Sequence, residues 1–291
     1  MLIGFFKKVV VADLLATYVN AVYNDAANAT GLGVVIATVL FAVQIYCDFA
    51  GYTDIAIGCA EIMGIHLMQN FNRPYISESI PEFWRRWHIS LSSWFKDYIY
   101  FPLGGSRCSL WKNLRNILIV FMVSGLWHGA AWTFVIWGAL HGMYQVIGKL
   151  LKPVREKIVD VLHISRDSKG LHIYRKCVTF VLVCFAWIFF RANSMADAML
   201  LVKKLFTDWS LSDAYIKTSI DHLGLTLIAV LISVLSIYIM NRMDINQLRL
   251  GNDANGAIPV FRYAYIIWII ALAWLLLLVG DGASSFIYFQ F

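Results

Sequence analysis

Three histidines and a cluster of acids are the residues of this chain best placed to do chemistry. His128 stands in Ser124-Gly125-Leu126-Trp127-His128-Gly129-Ala130, after a long apolar stretch. An imidazole with an ordinary pKa of about 6.5 can take a proton from a hydroxyl at neutral pH, and burial keeps it in the neutral form that a base requires. The same residue would serve equally well as a hydrogen-bonded tie between two helices. His88 lies beside Trp84 and Trp87, with Arg85 and Arg86 next to them. It reads either as an interfacial histidine or as a polar group that orients a substrate or binds its developing oxyanion. His141 follows His128 by 13 residues, which is about 220° around and about 20 Å along a continuous helix. Both can face one reacting atom only if the backbone breaks, and Gly129 is the natural place; otherwise His141 is a structural hydrogen-bonding group. Asp48, Asp54 and Glu61 form the acidic set. They could hold a histidine or tyrosine in place, bind a cation, or sit in a turn between two short segments.

The elements that must position these groups are set by composition. Of 291 residues, 60% are hydrophobic and only 14% charged, with mean hydropathy +0.66. A soluble domain is about 25% charged, so this much apolar surface calls for lipid. The net charge of +6 could suggest nucleic acid, but the basic residues sit between apolar runs, which is the pattern of membrane topology. Candidate spans fall at 34–48, 51–65, 117–128, 131–148, 177–192, 222–240 and 263–280. Several are shorter than the roughly 20 residues that cross a bilayer core. Short segments carrying polar groups are tolerated only where protein or a water-filled cavity covers them. The reading is therefore all-α and multi-pass, a packed assembly of short and re-entrant helices forming one domain over residues 1–291.

Residues 66–115 hold seven basic residues against three acids, and 149–176 hold eight against three. The positive-inside rule puts both stretches in the cytoplasm and 117–148 between them as a hairpin, with the turn at His128 toward the membrane interior or outer side. Residues 79–98 read as one amphipathic helix: Ser79 and Glu82 make a capping box, Pro81 sits in the first turn, and Trp84, Trp87, Leu91, Trp94 and Tyr98 share a face expected to meet acyl chains. Arg73, Arg85, Arg86, Lys96 and Arg107 could attract the phosphates of a coenzyme or lipid, or be topological charge only. The five cysteines show no C-x-x-C pair and no zinc spacing, so neither structural disulfides nor a sulfur-ligated metal is expected. The sequence has no Walker loop, G-x-S-x-G elbow, dinucleotide fingerprint or H-E-x-x-H, which removes the common hydrolase, nucleotide-binding and zincin readings.

Five motifs taken together carry a resemblance. They are Phe71-Asn72-Arg73-Pro74-Tyr75, Phe83-Trp84-Arg85-Arg86-Trp87-His88-Ile89-Ser90-Leu91-Ser92, Tyr100-Phe101-Pro102-Leu103-Gly104-Gly105, Gly125-Leu126-Trp127-His128-Gly129 and Leu140-His141-Gly142. In these the chain resembles the membrane-bound O-acyltransferase family, and its alginate-type bacterial branch in the early Gly4–Asp13 segment and the terminal Phe286–Phe291. The resemblance implies acyl transfer by a helical membrane assembly in the cell's inner membrane. His128 matches the family's histidine general base and His88 a second polar position, with Trp84, Trp87, Arg85, Asp48 and His141 as candidate substrate contacts and no metal. It implies acetyl-CoA or another acyl thioester as donor, no bound cofactor, an exported polysaccharide as final acceptor, and an extracytoplasmic acetyltransferase partner. Membrane lipid is the expected surrounding and nucleic acid is not a partner. D-alanyl transfer in teichoic acid modification is the alternative within the class; a transporter or scaffold, with Asp48, Asp54 and Glu61 as ion ligands, is the alternative outside it. The Gly4–Asp13 segment resembles a position well inside family chains, so further N-terminal spans are expected, and weak activity without them.

Overall fold

The computed structural model describes residues 1–221; the spans expected at 222–240 and 263–280 and the terminal Phe286–Phe291 lie outside the described residues. Among the described residues every regular element is helical. In chain order these are α1 (Leu2–Phe5), which runs through a π-helical stretch (Phe6–Ala12) into α2 (Asp13–Tyr23), then α3 (Gly31–Ile62), a 3-10 turn (Pro74–Ile76), α4 (Ile80–Arg86), α5 (Ile89–Phe95) with a π-helical continuation (Lys96–Tyr100), α6 (Leu110–His128), α7 (Trp132–Leu150), α8 (Lys152–Val161), α9 (Lys169–Arg191), α10 (Met195–Thr207) and α11 (Asp213–Ile220). The described residues belong to two compact units, one built from Met1–Val22, Val39–Leu67 and 209–221, the other from Tyr23–Thr38 and Met68–Asp208.

In the first unit the amino-terminal helix lies against α3. The contact is closest at two glycines: a Cβ on Gly4 would stand 2.5 Å from the carbonyl oxygen of Gly51, and one on Gly51 would stand 2.7 Å from that of Gly4. This backbone-to-backbone approach brings two lysines onto two turns of α3. Lys7 pairs with Asp54 at 2.7 Å, and Lys8 pairs with Asp48 at 2.8 Å and Asp13 at 2.7 Å. Lys8 and Asp48 are almost fully buried. The turn expected between residues 48 and 54 does not exist. The spans expected at 34–48 and 51–65 are one helix of 32 residues, about 48 Å long. Its mid-helix acids are held by ammonium groups from a distant part of the chain, and Gly51 is there to admit Gly4 rather than to turn the chain.

The second unit contains the α6–α7 hairpin read from the sequence. Its helices meet through Gly125 and Gly138, where a Cβ would come within 2.5 Å of the Phe134 carbonyl oxygen and 2.3 Å of the Phe121 carbonyl oxygen. Helices α4 and α9 pack on α7 through an aromatic core in which Phe83 stacks on Trp87 at 5.5 Å, Trp87 meets Trp187 at 5.3 Å, and Trp187 stacks on Trp137 at 5.9 Å. Helices α3 and α9 are long and apolar enough to cross a bilayer. Asn113, Asn116, Ser124, Thr133 and His141 interrupt the apolar character of α6 and α7, and all five are buried within protein.

Candidate functional site

The segment that carries His88 is capped as the sequence indicates. The Ser79 hydroxyl accepts the Glu82 N–H at 3.3 Å, the Glu82 carboxylate accepts the Glu78 N–H at 2.9 Å, and Glu82 also pairs with Arg86 one turn on. The helix expected to continue to residue 98 stops at Arg86. Trp87 is extended and His88 is left-handed, at φ 45° and ψ 55°. Such a conformation is costly for a residue other than glycine and is held only when its surroundings over-determine it. Here Asn70 does so: its main-chain oxygen accepts the Ile89 N–H at 3.0 Å, and its side-chain oxygen accepts the N–H and hydroxyl of Ser90 at 3.1 and 3.0 Å. The break overturns the single lipid-facing aromatic stripe. Trp87 turns into the core, packed by Phe71, Tyr75, Phe83 and Trp187, while Trp94 and Tyr98 stay exposed.

The same Asn70 sets the state of His88. Its side-chain oxygen is an acceptor and lies 3.3 Å from His88 Nδ1, so that nitrogen carries the hydrogen and the neutral ring keeps its lone pair on Nε2. Burial pushes the imidazole down to about 4, so it is neutral at pH 7. A neutral His88 therefore accepts a hydrogen bond at Nε2. That suits holding a hydroxyl and does not suit donating to an oxyanion, which narrows the two uses left open by the sequence.

His128 is the last residue of α6, and the chain breaks at Gly129 before α7 begins at Trp132, where the geometry of His128 and His141 required it. Aromatic rings clamp the His128 imidazole: Trp127 at 4.9 Å, Trp137 at 4.9 Å, Phe190 at 5.2 Å and Phe134 at 6.4 Å between centroids. His88 also packs on the Trp127 indole, at 6.2 Å, and the two imidazoles are near enough to interact electrostatically. The structure thus brings together the two histidines that the sequence put 40 positions apart.

His141 joins this cluster through its neighbours. It is fully buried, 5.2 Å from Trp137 and 5.1 Å from Trp84, and its Nδ1 accepts the Trp84 indole N–H at 3.2 Å. Arg85 points to the exposed side of α4. Asp48 belongs to the first unit and is paired there with Lys8. Trp127, Trp137 and Asn70 were not singled out from the sequence. Trp137 could have been, since it lies one turn before His141 and a buried indole usually needs an acceptor. Nothing local marked Asn70, whose partners are 18 and 20 residues away.

Known proteins share this arrangement's sequence. The profile of the membrane-bound O-acyltransferase family matches residues 2–185. The chain is 34% identical over 314 residues to the probable alginate O-acetylase AlgI of Azotobacter vinelandii, covering 99% of the chain and 60% of the relative. It is 38% identical to the peptidoglycan O-acetyltransferase of Helicobacter pylori, covering 69% of the chain and 37% of the relative. It is 32% identical to the teichoic acid D-alanyltransferase of Bacillus subtilis, covering 65% of the chain and 48% of the relative. The protein belongs to the membrane-bound O-acyltransferase family, and is a membrane protein as that family is. The chain spans 37% to 60% of the length of these relatives.

Proposed function

We propose that the protein transfers an acyl group, acetyl in the first instance, from a cytoplasmic thioester such as acetyl-CoA to a hydroxyl, for O-acylation of an exported polysaccharide. The observation that carries this reading is the meeting of His88 and His128 on one indole, in an aromatic setting, with His88 fixed as an acceptor. His128 takes the proton of the acceptor hydroxyl as its oxygen attacks the thioester carbonyl carbon and a C–O bond forms. The C–S bond then breaks, and the imidazolium returns the proton to the departing thiolate. His88 holds the acceptor through a hydrogen bond at Nε2 and so fixes the attacking oxygen. Acetyl is preferred to D-alanyl because the alginate-type relative aligns over 99% of the chain and the D-alanyltransferase over 65%. The basic stretches 66–115 and 149–176 face the cytoplasm, in a multi-pass protein of the inner membrane. An extracytoplasmic acetyltransferase completes delivery to the polymer. The test is mass spectrometry of cell-envelope polysaccharide from a deletion strain. Loss of O-acetyl groups, restored by the wild-type gene, supports the reading; an unchanged acetylation pattern contradicts it.

A further inference from the structure

We infer that Trp137 and His141 form a two-donor subsite for the carbonyl oxygen of the acyl donor, an assignment that rests on the thioester reading above. The Trp84 indole N–H can only donate. Its contact with His141 Nδ1 at 3.2 Å therefore makes that nitrogen the acceptor and puts the imidazole hydrogen on Nε2. His141 Nε2 and Trp137 Nε1 are both buried, and among the described residues neither has a hydrogen-bond partner. The two side chains are 0% and 1% exposed, touch at 5.2 Å, and stand one turn apart on α7. A protein keeps a buried N–H unsatisfied only at a cost, and such groups call for an explanation. Here two adjacent orphans have the same polarity. Two donors without an acceptor are wrong for a cation and right for an oxygen that has lone pairs to offer.

Place in the site selects which oxygen. Trp137 packs directly on His128 at 4.9 Å, so an oxygen held by these donors lies beside the group that takes the proton. His88 in its neutral form presents an acceptor and leaves the oxyanion without a donor from that side. As the C–O bond forms, charge gathers on the carbonyl oxygen, and the Trp137 and His141 N–H groups meet it. Phe83, Phe121 and Phe190 around them keep water out, which strengthens both bonds. Trp84 acts through His141 and is a positioning residue.

The test compares binding of acetyl-CoA and of ethyl-CoA, its thioether with CH2 in place of the carbonyl, to the detergent-solubilised His128→Gln protein, which cannot turn over. Acetyl-CoA is expected to bind about 10-fold tighter, the worth of about one hydrogen bond. Adding Trp137→Phe should erase that preference while leaving ethyl-CoA affinity and melting temperature unchanged, and His141→Phe reads the same point should that variant not fold. With His128 intact, Trp137→Phe should lower kcat roughly 10²-fold. Equal affinity for the two compounds, or a preference that survives both substitutions, overturns the subsite and leaves these donors to a structural water or to ring faces. Failure of both compounds to bind is a different result: it removes the CoA thioester as donor, and the subsite with it.

Discussion

The two units bury polar side chains in opposite ways. In the first, the buried charges among the described residues are paired: Lys7 with Asp54, and Lys8 with Asp13 and Asp48. In the second, an aromatic core holds three histidines, and the N–H groups of Trp137 and His141 are left without acceptors among the described residues. Charges in an apolar interior must be paired or they unfold it. A closed ion network therefore secures a fold, and nothing further has to bind there. Open hydrogen-bonding capacity in a dry site is stable only provisionally, and its natural complement is a ligand. The contrast separates two kinds of buried polar residue that look alike in the sequence.

The largest expected effect falls on the closed network. Lys8→Ala leaves Asp13 and Asp48 buried without their shared ammonium, and should destabilise by about 3–5 kcal/mol, seen as a lower melting temperature or loss of protein from membranes. Lys8→Met combined with Asp13→Leu and Asp48→Leu should recover most of that, since apolar packing often replaces a buried ion cluster without loss. Wild-type stability for Lys8→Ala alone would break the comparison at its first term.

His88 gives the next effect and a pH dependence. Its folded pKa of about 4 lies below the ordinary value of about 6.5. The unfolded chain therefore binds the proton more readily, and the contribution to stability is complete above about pH 6.5 and lost as pH falls through 4. The loss at pH 4 is about 3 kcal/mol. Melting temperatures in detergent between pH 7.5 and 4 should show it as a slope that His88→Asn makes shallower. Asparagine tolerates the left-handed conformation and still offers an acceptor, so His88→Asn should keep measurable acyl transfer. His88→Ala should lose roughly 10²-fold by misplacing the hydroxyl.

Some of this was legible before any coordinates. The Ser79–Glu82 cap, the α6–α7 hairpin and the backbone break beside Gly129 follow from local signals: a hydroxyl three residues before a carboxylate, two apolar runs, a glycine between them. What the sequence concealed is non-local. The helix through 79–98 looked continuous because its aromatic spacing is helical, but Asn70 pulls His88 left-handed from outside the segment. Asp48, Gly51 and Asp54 looked like a turn because their partners, Lys7, Lys8 and Gly4, lie 40 to 47 residues away. His88 and His128 were named from their types and from the family's motifs, whereas the spacing of Trp137 from His141 takes on meaning once burial and hydrogen bonds can be read together.

The smallest effect belongs to Trp84. Trp84→Phe keeps the ring and removes the N–H that fixes the tautomer of His141. The preference for acetyl-CoA over ethyl-CoA should fall by about 2- to 5-fold, part of one hydrogen bond, and His141 should then populate both tautomers in nitrogen NMR. An unchanged preference with a single tautomer would place the control of His141 elsewhere.

The most direct test of the whole account is acyl transfer by His128→Gln at matched membrane levels, with melting temperature measured on the same preparations. Glutamine keeps approximate size and a hydrogen bond but cannot take the proton. The expected result is a loss of roughly 10²–10⁴-fold in rate at unchanged melting temperature, the reverse of Lys8→Ala. Near-normal turnover would contradict the account, exclude His128 as the base, and shift that role to the Nε2 lone pair of His88.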